Sequence, residues 1–201
     1  MDIKAIETEY NGYRFRSRAE ARWAVFFDAC GIKYQYEPEG YKLSDGTFYL
    51  PDFYLPDSKT FFEVKGVMSD KDMHKIKLLQ EDLHCSVAIG YADMTFQASD
   101  RWEEDVFSIS NKADSYFVKC NNCDKYYFIG GAGAYTCTCC NYYDGDATFD
   151  LILFGDLDRY KVGQFMPLDK ARQARFEHGE TPKTPKKINW DFDFYKELEN
   201  L

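Results

Sequence analysis

The sequence predicts an α/β fold (α+β) in which helices pack against a mixed central β-sheet. The predicted elements over residues 17–91 follow the order helix, strand, strand, strand, helix, strand. A hairpin turn signal at residues 44–46 requires antiparallel neighbours, whereas the final strand–helix–strand segment requires a right-handed crossover and a parallel pair. With 201 residues, the chain is long enough for one sizeable core and a small additional module.

The first helix is predicted to begin after Ser17 and to end near Cys30. Ser17 is a favourable N-cap, Glu20 occupies the N3 position of a capping box, and Gly31 suits the left-handed conformation that follows a helix. One face of this helix carries Ala19, Trp23, Phe26, Phe27 and Cys30. Glu20 borders that apolar face, so its carboxylate either serves the capping box alone or is a third acidic group at a metal site.

The other core elements are predicted from alternation, helix caps and apolar runs. Three strands are predicted at residues 33–36, 47–50 and 60–65. A second helix is predicted to begin after Ser69. Its apolar face carries Met73, Ile76, Leu79 and Leu83. A buried strand at residues 86–91 completes the strand–helix–strand unit.

Two carboxylates and a lysine are predicted to converge near the ends of these strands. Asp52 follows a proline where the second strand breaks off, and Glu63 and Lys65 lie in the third strand. Because side chains alternate across a strand, Glu63 and Lys65 face the same way and Val64 faces the other. Carboxylates that hold a divalent cation, with a lysine beside them, can activate a water nucleophile. The ordinary alternative is a turn residue at Asp52 and a solvated strand face at the other two.

The cysteines predict a metal-binding module. Cys120 and Cys123 form one Cys-x-x-Cys pair, Cys137 and Cys140 form a second, and 13 residues separate the pairs. Four thiolates at this spacing are typical of a structural, tetrahedral Zn²⁺ site. Cys139 is a rival to Cys140, although the x-x spacing favours Cys140. A pair of disulfides is the other alternative, which a reducing compartment disfavours.

A change of composition near Tyr116 divides the chain into three predicted regions. Residues 1–115 form the core, residues 116–147 form a β-hairpin zinc ribbon, and residues 148–201 form a strand and helices that pack on the core. Residues 102–109 fit either a helix or a strand. The elements of the last region are a strand at 148–154, a helix at 167–177, a basic linker at 181–187 and a helix at 190–201.

The motifs Pro51-Asp52 and Glu63-Val64-Lys65, in this order of elements, resemble those of the PD-(D/E)XK phosphodiesterase superfamily. That superfamily has the restriction-endonuclease-like fold with an αβββαβ core, and the resemblance covers roughly residues 13–91. Within it, the blocks Arg-Ala-Glu-Ala-Arg-Trp and Leu-Pro-Asp-Phe look most like those of small nucleases from phages and mobile elements. The resemblance does not extend to residues 116–201.

The resemblance implies a metal-dependent deoxyribonuclease that leaves a 5′-phosphate. Asp52, Glu63 and the backbone carbonyl of Val64 would hold Mg²⁺ or Mn²⁺, and Glu20 would bind it through water or support a second ion. Lys65 would orient or activate the attacking water and offset developing negative charge. Members of this superfamily often act as dimers, so a homodimer is a candidate arrangement.

Charge limits how nucleic acid could bind. The net charge of -9 argues against a broad nucleic-acid-binding surface, and the basic residues concentrate at the two ends of the chain. The candidates for phosphate contacts are Arg14, Arg16, Arg18, Arg22, Lys183, Lys186 and Lys187. A solvated face is the default alternative for each group. DNA is the expected partner, with RNA as the other candidate substrate.

Two other functions stay open beside the nuclease. One is a catalytically silent regulator that binds nucleic acid or protein through the zinc ribbon on a nuclease-like scaffold. The other is an inhibitor or host-takeover protein that acts through protein contacts. The first residues lack a signal-peptide pattern, and no apolar run approaches the roughly 20 residues of a membrane span. The expected location is the cytoplasm, which is the host's if a phage encodes the protein.

Overall fold

Over the residues that the structure describes, three helices and several β-sheets make up an α+β fold. The computed structural model describes residues 5–99, 108–131, 136–142 and 149–176. The helices are α1 (Arg18–Cys30), α2 (Asp70–Leu83) and α3 (Met166–Gln173). The strands are β1 (Thr8–Tyr10), β2 (Tyr13–Phe15), β3 (Gln35–Tyr36), β4 (Tyr41–Lys42), β5 (Phe48–Tyr49), β6 (Phe53–Leu55), β7 (Thr60–Lys65), β8 (Ser86–Tyr91), β9 (Phe96–Ala98), β10 (Ser115–Cys120), β11 (Tyr126–Gly130) and β12 (Phe149–Phe154). In the described ranges, no helix has the length and apolar character needed to cross a membrane.

A five-stranded sheet in the order β3-β6-β7-β8-β9 forms the centre of the fold. β6 pairs antiparallel with β3 and β7, whereas β7 and β8 are parallel and are joined by α2. The Trp23 ring of α1 lies 4.7 Å from the Phe62 ring on one face of the sheet. Ile76 and Leu79 of α2 pack with Phe61 on the other face. The predicted mixed sheet with a parallel strand–helix–strand unit is confirmed.

The caps of α1 form as the sequence predicts. The Glu20 N–H donates to Ser17 Oγ at 3.2 Å, and Gly31 adopts the left-handed conformation with φ 70°. The helix is buried on more faces than its predicted apolar stripe, since Ala21, Ala24 and Val25 are also fully buried. A second sheet and α3 cover those faces, so α1 is a central helix instead of a surface one.

The strand–helix–strand unit also matches its predicted bounds. Ser69 and Asp72 form a reciprocal capping box at the start of α2. In β8, a Cβ added at Gly90 would lie 2.5 Å from the Trp23 ring. Only glycine therefore allows α1 to approach this strand so closely, where the Trp23 Nε1–H donates to the Tyr91 carbonyl at 3.1 Å.

The chain around Asp52 differs from the prediction. Residues 47–50 are predicted to belong to the core sheet, but β5 pairs only with β4 in a separate two-stranded ribbon. The strand that enters the sheet is β6, which begins after Asp52 and lies between Pro51 and Pro56. Two prolines two and three residues from its centre hide so short a strand from alternation patterns.

The last described helix is shorter than predicted. It is expected at residues 167–177, but α3 ends at Gln173 and Ala174 leaves the helical conformation with ψ 126°. The chain turns there, which buries Ala174 and brings the Phe176 ring to 6.2 Å from that of Tyr10. Tertiary packing of these two residues overrides the local helical pattern.

A three-stranded sheet in the order β11-β10-β12 shares the core of the central sheet. Phe117 of β10 and Phe128 of β11 belong to the same buried cluster as Phe26 and Phe62. The predicted division of the chain at residues 116 and 148 stays a prediction. Side chains on both sides of each boundary contribute to one core.

Some predicted elements lie outside the described residues. They are most of the ambiguous segment at 102–109, residues 132–135 between the cysteine pairs, the basic linker at 181–187 with Lys183, Lys186 and Lys187, and the helix at 190–201.

Candidate functional site

Asp52, Glu63 and Lys65 form one hydrogen-bonded cluster at the carboxyl-terminal end of β7. Lys65 Nζ lies 2.9 Å from Glu63 Oε2 and 3.8 Å from Asp52 Oδ2. The Asp52 N–H donates to Glu63 Oε1 at 3.3 Å, and the Val64 N–H donates to Asp52 Oδ2 at 2.7 Å. The structure therefore brings these three predicted side chains together, and their catalytic role stays a prediction.

Strand alternation places the cluster on the face of the sheet that α2 covers. Phe61, two residues before Glu63, packs in the buried cluster of α2, whereas Phe62 packs with α1. Tyr54, two residues after Asp52, also packs on the α2 side. The antiparallel register pairs Tyr54 with Phe61, so both carboxylates emerge on one face from neighbouring strands.

The electrostatics of Asp52 favour the binding of a positive charge beside its carboxylate. Burial raises the pKa of Asp52 to about 7, and the charge of Glu63 acts in the same direction. Lys65 and the Val64 N–H oppose this rise, while Glu20 adds a smaller upward effect. Two buried carboxylates with one lysine thus leave an excess of negative charge, which a bound divalent cation would neutralise.

Lys65 stays a cation in this cluster. Burial alone would lower the pKa of Lys65, but the charges of Glu63 and Asp52 outweigh burial and raise it. A lysine that keeps its proton donates hydrogen bonds and positive charge, and it does not accept a proton. Of the two predicted roles, orientation of a water and stabilisation of charge therefore suit Lys65 better than removal of a proton.

Tyr49 is a neighbour that the sequence does not single out. Its hydroxyl is buried, and burial, followed by the charge of Glu63, raises its pKa well above the usual range. The Glu63 carboxylate acts on this hydroxyl through both its charge and its hydrogen-bonding capacity. A tyrosine that keeps its proton is a donor, so Tyr49 can donate towards Glu63.

Glu20 is buried and satisfied by its own neighbourhood. Its Oε2 accepts hydrogen bonds from the Tyr36 hydroxyl at 2.6 Å and from the Arg16 N–H at 3.0 Å. Its Oε1 accepts from the Ser17 hydroxyl at 2.7 Å. The capping interpretation of Glu20 thus describes its direct contacts, while its effect on the pKa of Asp52 shows that it is also near the cluster.

The donor set fits a hard divalent cation at Asp52 and Glu63. Carboxylate oxygens are the ligands that Mg²⁺ and Mn²⁺ prefer, and Asp52 and Glu63 present theirs side by side. Glu20 is not part of a tight ligand group, because within the described ranges only the four cysteines meet that condition. The Val64 carbonyl stays a predicted ligand.

Binding of Mg²⁺ is expected to depend on pH because Asp52 must lose its proton. With a pKa of about 7, about nine-tenths of Asp52 is ionised at about pH 8 and about one-tenth at about pH 6. Titration calorimetry on the zinc-loaded protein should therefore give about tenfold weaker Mg²⁺ affinity at the lower pH. Asp52→Asn should bind Mg²⁺ weakly at both values. Equal wild-type affinities would contradict this role of Asp52.

The four predicted cysteines form a second site. The sulfurs of Cys120, Cys123, Cys137 and Cys140 all lie within 4.8 Å of one another, so they can hold a metal ion such as zinc. Cys139 is exposed and lies outside this group. The Tyr127 hydroxyl lies 2.8 Å from Cys137 Sγ and accepts a hydrogen bond from the Cys139 N–H at 3.3 Å. Tyr127, which lies in β11, therefore holds the second cysteine pair in place.

The cysteine site contacts the central sheet at the turn between β6 and β7. Lys125, two residues after Cys123, forms an ion pair with Asp57 at 2.6 Å. The Thr138 hydroxyl, beside Cys137, donates to the Asp57 carbonyl at 3.4 Å. The strands that leave this turn are the ones next to Asp52 and Glu63, so the two sites are connected through a short, hydrogen-bonded segment.

Two of the four arginines predicted to contact phosphate are held by carboxylates. Arg14 pairs with Glu7, and Arg16 Nε lies 2.6 Å from Glu37 Oε1. Arg18 and Arg22 lie half-buried in the first turns of α1. Ion pairing lowers the charge that Arg14 and Arg16 offer to a polyanion, so their predicted role is weakened.

Local sequence patterns do not show which groups the tyrosine hydroxyls near the acidic residues contact. Tyr36 alternates correctly in the predicted strand, but its hydrogen bond to Glu20 depends on how α1 packs on that strand. Tyr49 lies in the separate β4–β5 ribbon, whose position over Glu63 no local pattern shows.

No model of a known protein family matches this chain, and no curated protein matches it.

Proposed function

We propose that the protein is a metal-dependent nuclease that hydrolyses phosphodiester bonds of DNA with an activated water. The observation that carries this proposal is the buried cluster of Asp52, Glu63 and Lys65 at the end of β7. The order α1, β3, β6, β7, α2, β8 supports a restriction-endonuclease-like core of the PD-(D/E)XK type, since it follows the αβββαβ order of that superfamily. The blocks Arg-Ala-Glu-Ala-Arg-Trp and Leu-Pro-Asp-Phe, which look most like those of small phage and mobile-element nucleases, make such a setting the preferred one.

In this proposal the chain holds the cation and the water on one face of the sheet. Asp52 and Glu63 supply carboxylate oxygens, the Val64 carbonyl is a further candidate, and Glu20 acts through water. A bound Mg²⁺ or Mn²⁺ polarises the scissile phosphate and makes the attacking water more acidic. The excess negative charge that raises the pKa of Asp52 is the feature that favours the cation.

Lys65 orients the water and offsets charge on the phosphate. Its ammonium lies between the two carboxylates and keeps its proton, so it can donate both to the water and to a non-bridging phosphate oxygen. The Tyr49 hydroxyl, whose pKa is raised by burial and by Glu63, keeps its proton and is a further donor beside Glu63. The proposed reaction has no covalent intermediate, because water is the nucleophile. The polar groups of the cluster serve binding, orientation or charge stabilisation.

The cysteine site has a structural role in this proposal. Four thiolates leave no open position on a tetrahedral Zn²⁺, and the complex carries a net negative charge that does not attract DNA. Its contacts through Lys125 and Thr138 instead hold the turn that begins β7.

A catalytically silent regulator on the same scaffold is the competing function. It is favoured by the net charge of -9 and by the carboxylates that pair with Arg14 and Arg16. Such a protein would bind DNA or a protein partner without needing Mg²⁺. A complete cluster of two carboxylates and a lysine argues against it, since binding alone does not require buried, mutually repelling charges.

An assay of the purified full chain separates the two functions. The zinc-loaded protein should cleave at least one of single-stranded, linear, circular and branched DNA when Mg²⁺ or Mn²⁺ is added, and cleavage should stop with excess chelator. A parallel RNA substrate tests the other candidate polymer. DNA binding without cleavage of any substrate, in protein with a loaded zinc site, would overturn the nuclease proposal and leave the regulator.

A further inference from the structure

Two cations lie on the turn that follows β8, beside the acidic cluster. Lys112 Nζ lies 2.6 Å from the Thr95 hydroxyl and 4.1 Å from the centre of the Tyr91 ring. On the same turn, Arg172 Nη2 donates to the Asp93 carbonyl at 3.3 Å. Over the described ranges, neither cation lies within 4.0 Å of a carboxylate oxygen. Neutral acceptors therefore hold both cations in place, without a direct ion pair in the part of the chain that the structure describes.

Strand register places this turn next to Lys65. Lys65 of β7 and Tyr91 of β8 are paired residues in the parallel ladder, and neighbouring strands lie about 4.8 Å apart. Tyr91 packs on the same side of the sheet as Phe61, which is the side of Glu63 and Lys65. Lys112 covers the Tyr91 ring, so its charge continues the row that begins at Lys65 along the carboxyl-terminal edge of the sheet.

Arg172 is the second cation at this turn, and it comes from a different element of the fold. It belongs to α3, which packs against α1 on the opposite face from α2. Its guanidinium also stacks over the Tyr160 ring with its carbon 5.3 Å from the ring centre. Lys112 and Arg172 thus contact the same turn, and that turn follows Tyr91, the residue paired with Lys65.

Asp93 is the one carboxylate of this turn, and the turn itself stabilises it. Asp93 Oδ1 accepts hydrogen bonds from the Thr95 N–H at 3.0 Å and the Thr95 hydroxyl at 2.6 Å. These bonds lower the pKa of Asp93, to which the charge of Lys112 also contributes. The carboxylate is therefore occupied by backbone and hydroxyl donors, and it shares Lys112 only at longer range.

We propose that Lys112 and Arg172 bind phosphates of the nucleic-acid backbone next to the scissile phosphate. This inference rests on the proposed nuclease function and names the positioning residues for its substrate. Backbone contacts of this kind fix the position of the strand without reading its sequence. They replace Arg14 and Arg16, whose charges are paired with carboxylates, as the main contacts for the polyanion.

The test compares the salt dependence of DNA binding in matched double variants. Lys112→Gln with Arg172→Gln removes the two proposed contacts, and Arg14→Gln with Lys119→Gln removes two ion-paired cations. Binding of labelled duplex DNA is measured between about 50 and about 200 mM salt in a Glu63→Gln background, which keeps the DNA intact. The first pair should lower the slope of log affinity against log salt by about 1.8 and weaken binding about tenfold.

Cleavage kinetics provide a second readout, in protein that retains Glu63. Lys112→Gln with Arg172→Gln should raise KM several-fold and change kcat by less than about threefold, and Lys112→Arg should retain wild-type values. An unchanged salt slope in this pair, or an equal loss in the ion-paired control, would overturn the inference. If the wild-type protein cleaves DNA normally in that case, the nuclease proposal survives; if it neither binds nor cleaves, the proposed function itself fails.

Discussion

Replacing Glu63 with glutamine is expected to lower the rate of Mg²⁺-dependent DNA cleavage by about 10³-fold or more. Glu63 is fully buried, and its carboxylate accepts hydrogen bonds from Lys65 Nζ and from the Asp52 N–H. Glutamine keeps the size and one acceptor oxygen but removes the charge that a hard cation requires. Single-turnover cleavage with saturating Mg²⁺ measures the loss of the chemical step directly.

The stability of the metal-free protein distinguishes loss of function from loss of fold. The charge of Glu63 raises the pKa of both Asp52 and Lys65, so its removal relieves Asp52 but leaves the Lys65 ammonium with a single carboxylate. Because the second effect costs stability, the metal-free variant is expected to stay folded with a Tm at or below that of the wild type. Added Mg²⁺ should raise the Tm of the wild type and leave that of the variant unchanged. A variant that is unfolded at the assay temperature would show that lost cleavage reflects lost fold.

Glu39→Gln is the matched control for this substitution. Glu39 is exposed and accepts a hydrogen bond from the Tyr41 hydroxyl, away from the acidic cluster. The same change of charge there should leave the cleavage rate within about twofold of the wild type. Wild-type cleavage by Glu63→Gln, or an equal loss in both variants, would reject the assignment of the catalytic site.

The elements with local signals are predictable from the sequence. Ser17 and Gly31 define the ends of α1, and Ser69 begins α2, because caps are satisfied by neighbours along the chain. β7 and β8 match their predicted residues because aromatic and β-branched residues are frequent in both six-residue segments. The meeting of Glu63 and Lys65 follows from alternation alone, which needs no knowledge of the tertiary structure.

What the sequence does not predict depends on contacts between distant segments. The Tyr49 hydroxyl is buried by the position of the β4–β5 ribbon, and the partners of Glu20 include Tyr36 from another element. Lys112 lies 47 residues after Lys65 in the chain, and the β8–β9 turn brings it to the same edge of the sheet. Such pairs carry no periodic signal, so residue spacing cannot indicate them.

The cysteine site has the largest expected effect on stability. Cys140→Ser should abolish zinc binding, which is about one ion per chain in the wild type, and should destabilise the protein by about 4 kcal/mol or more. For a chain of this size, that corresponds to a fall in Tm of about 8–16 °C. Metal analysis and thermal unfolding in the presence of a reductant measure both quantities.

Cys139→Ser provides a control one residue away. Cys139 is exposed and its sulfur is not among the four that lie within 4.8 Å of one another, so this variant should keep its zinc and its Tm. The reverse result, with zinc lost in Cys139→Ser and kept in Cys140→Ser, would assign the fourth ligand to Cys139. An unchanged Tm in a Cys140→Ser variant that has lost its zinc would show that the metal does not stabilise the fold.

The size of this effect follows from where the cysteine site is anchored. β10 carries Phe117 into the main core and ends at Cys120, so metal binding and core packing act on one strand. Release of the metal frees the two cysteine pairs. It also weakens the contacts of Lys125 and Thr138 with the turn that begins β7. Zinc removal should therefore also reduce cleavage, and Lys125→Met should reproduce part of that loss while the zinc stays bound. A full loss of zinc with undiminished cleavage would show that the two sites are independent.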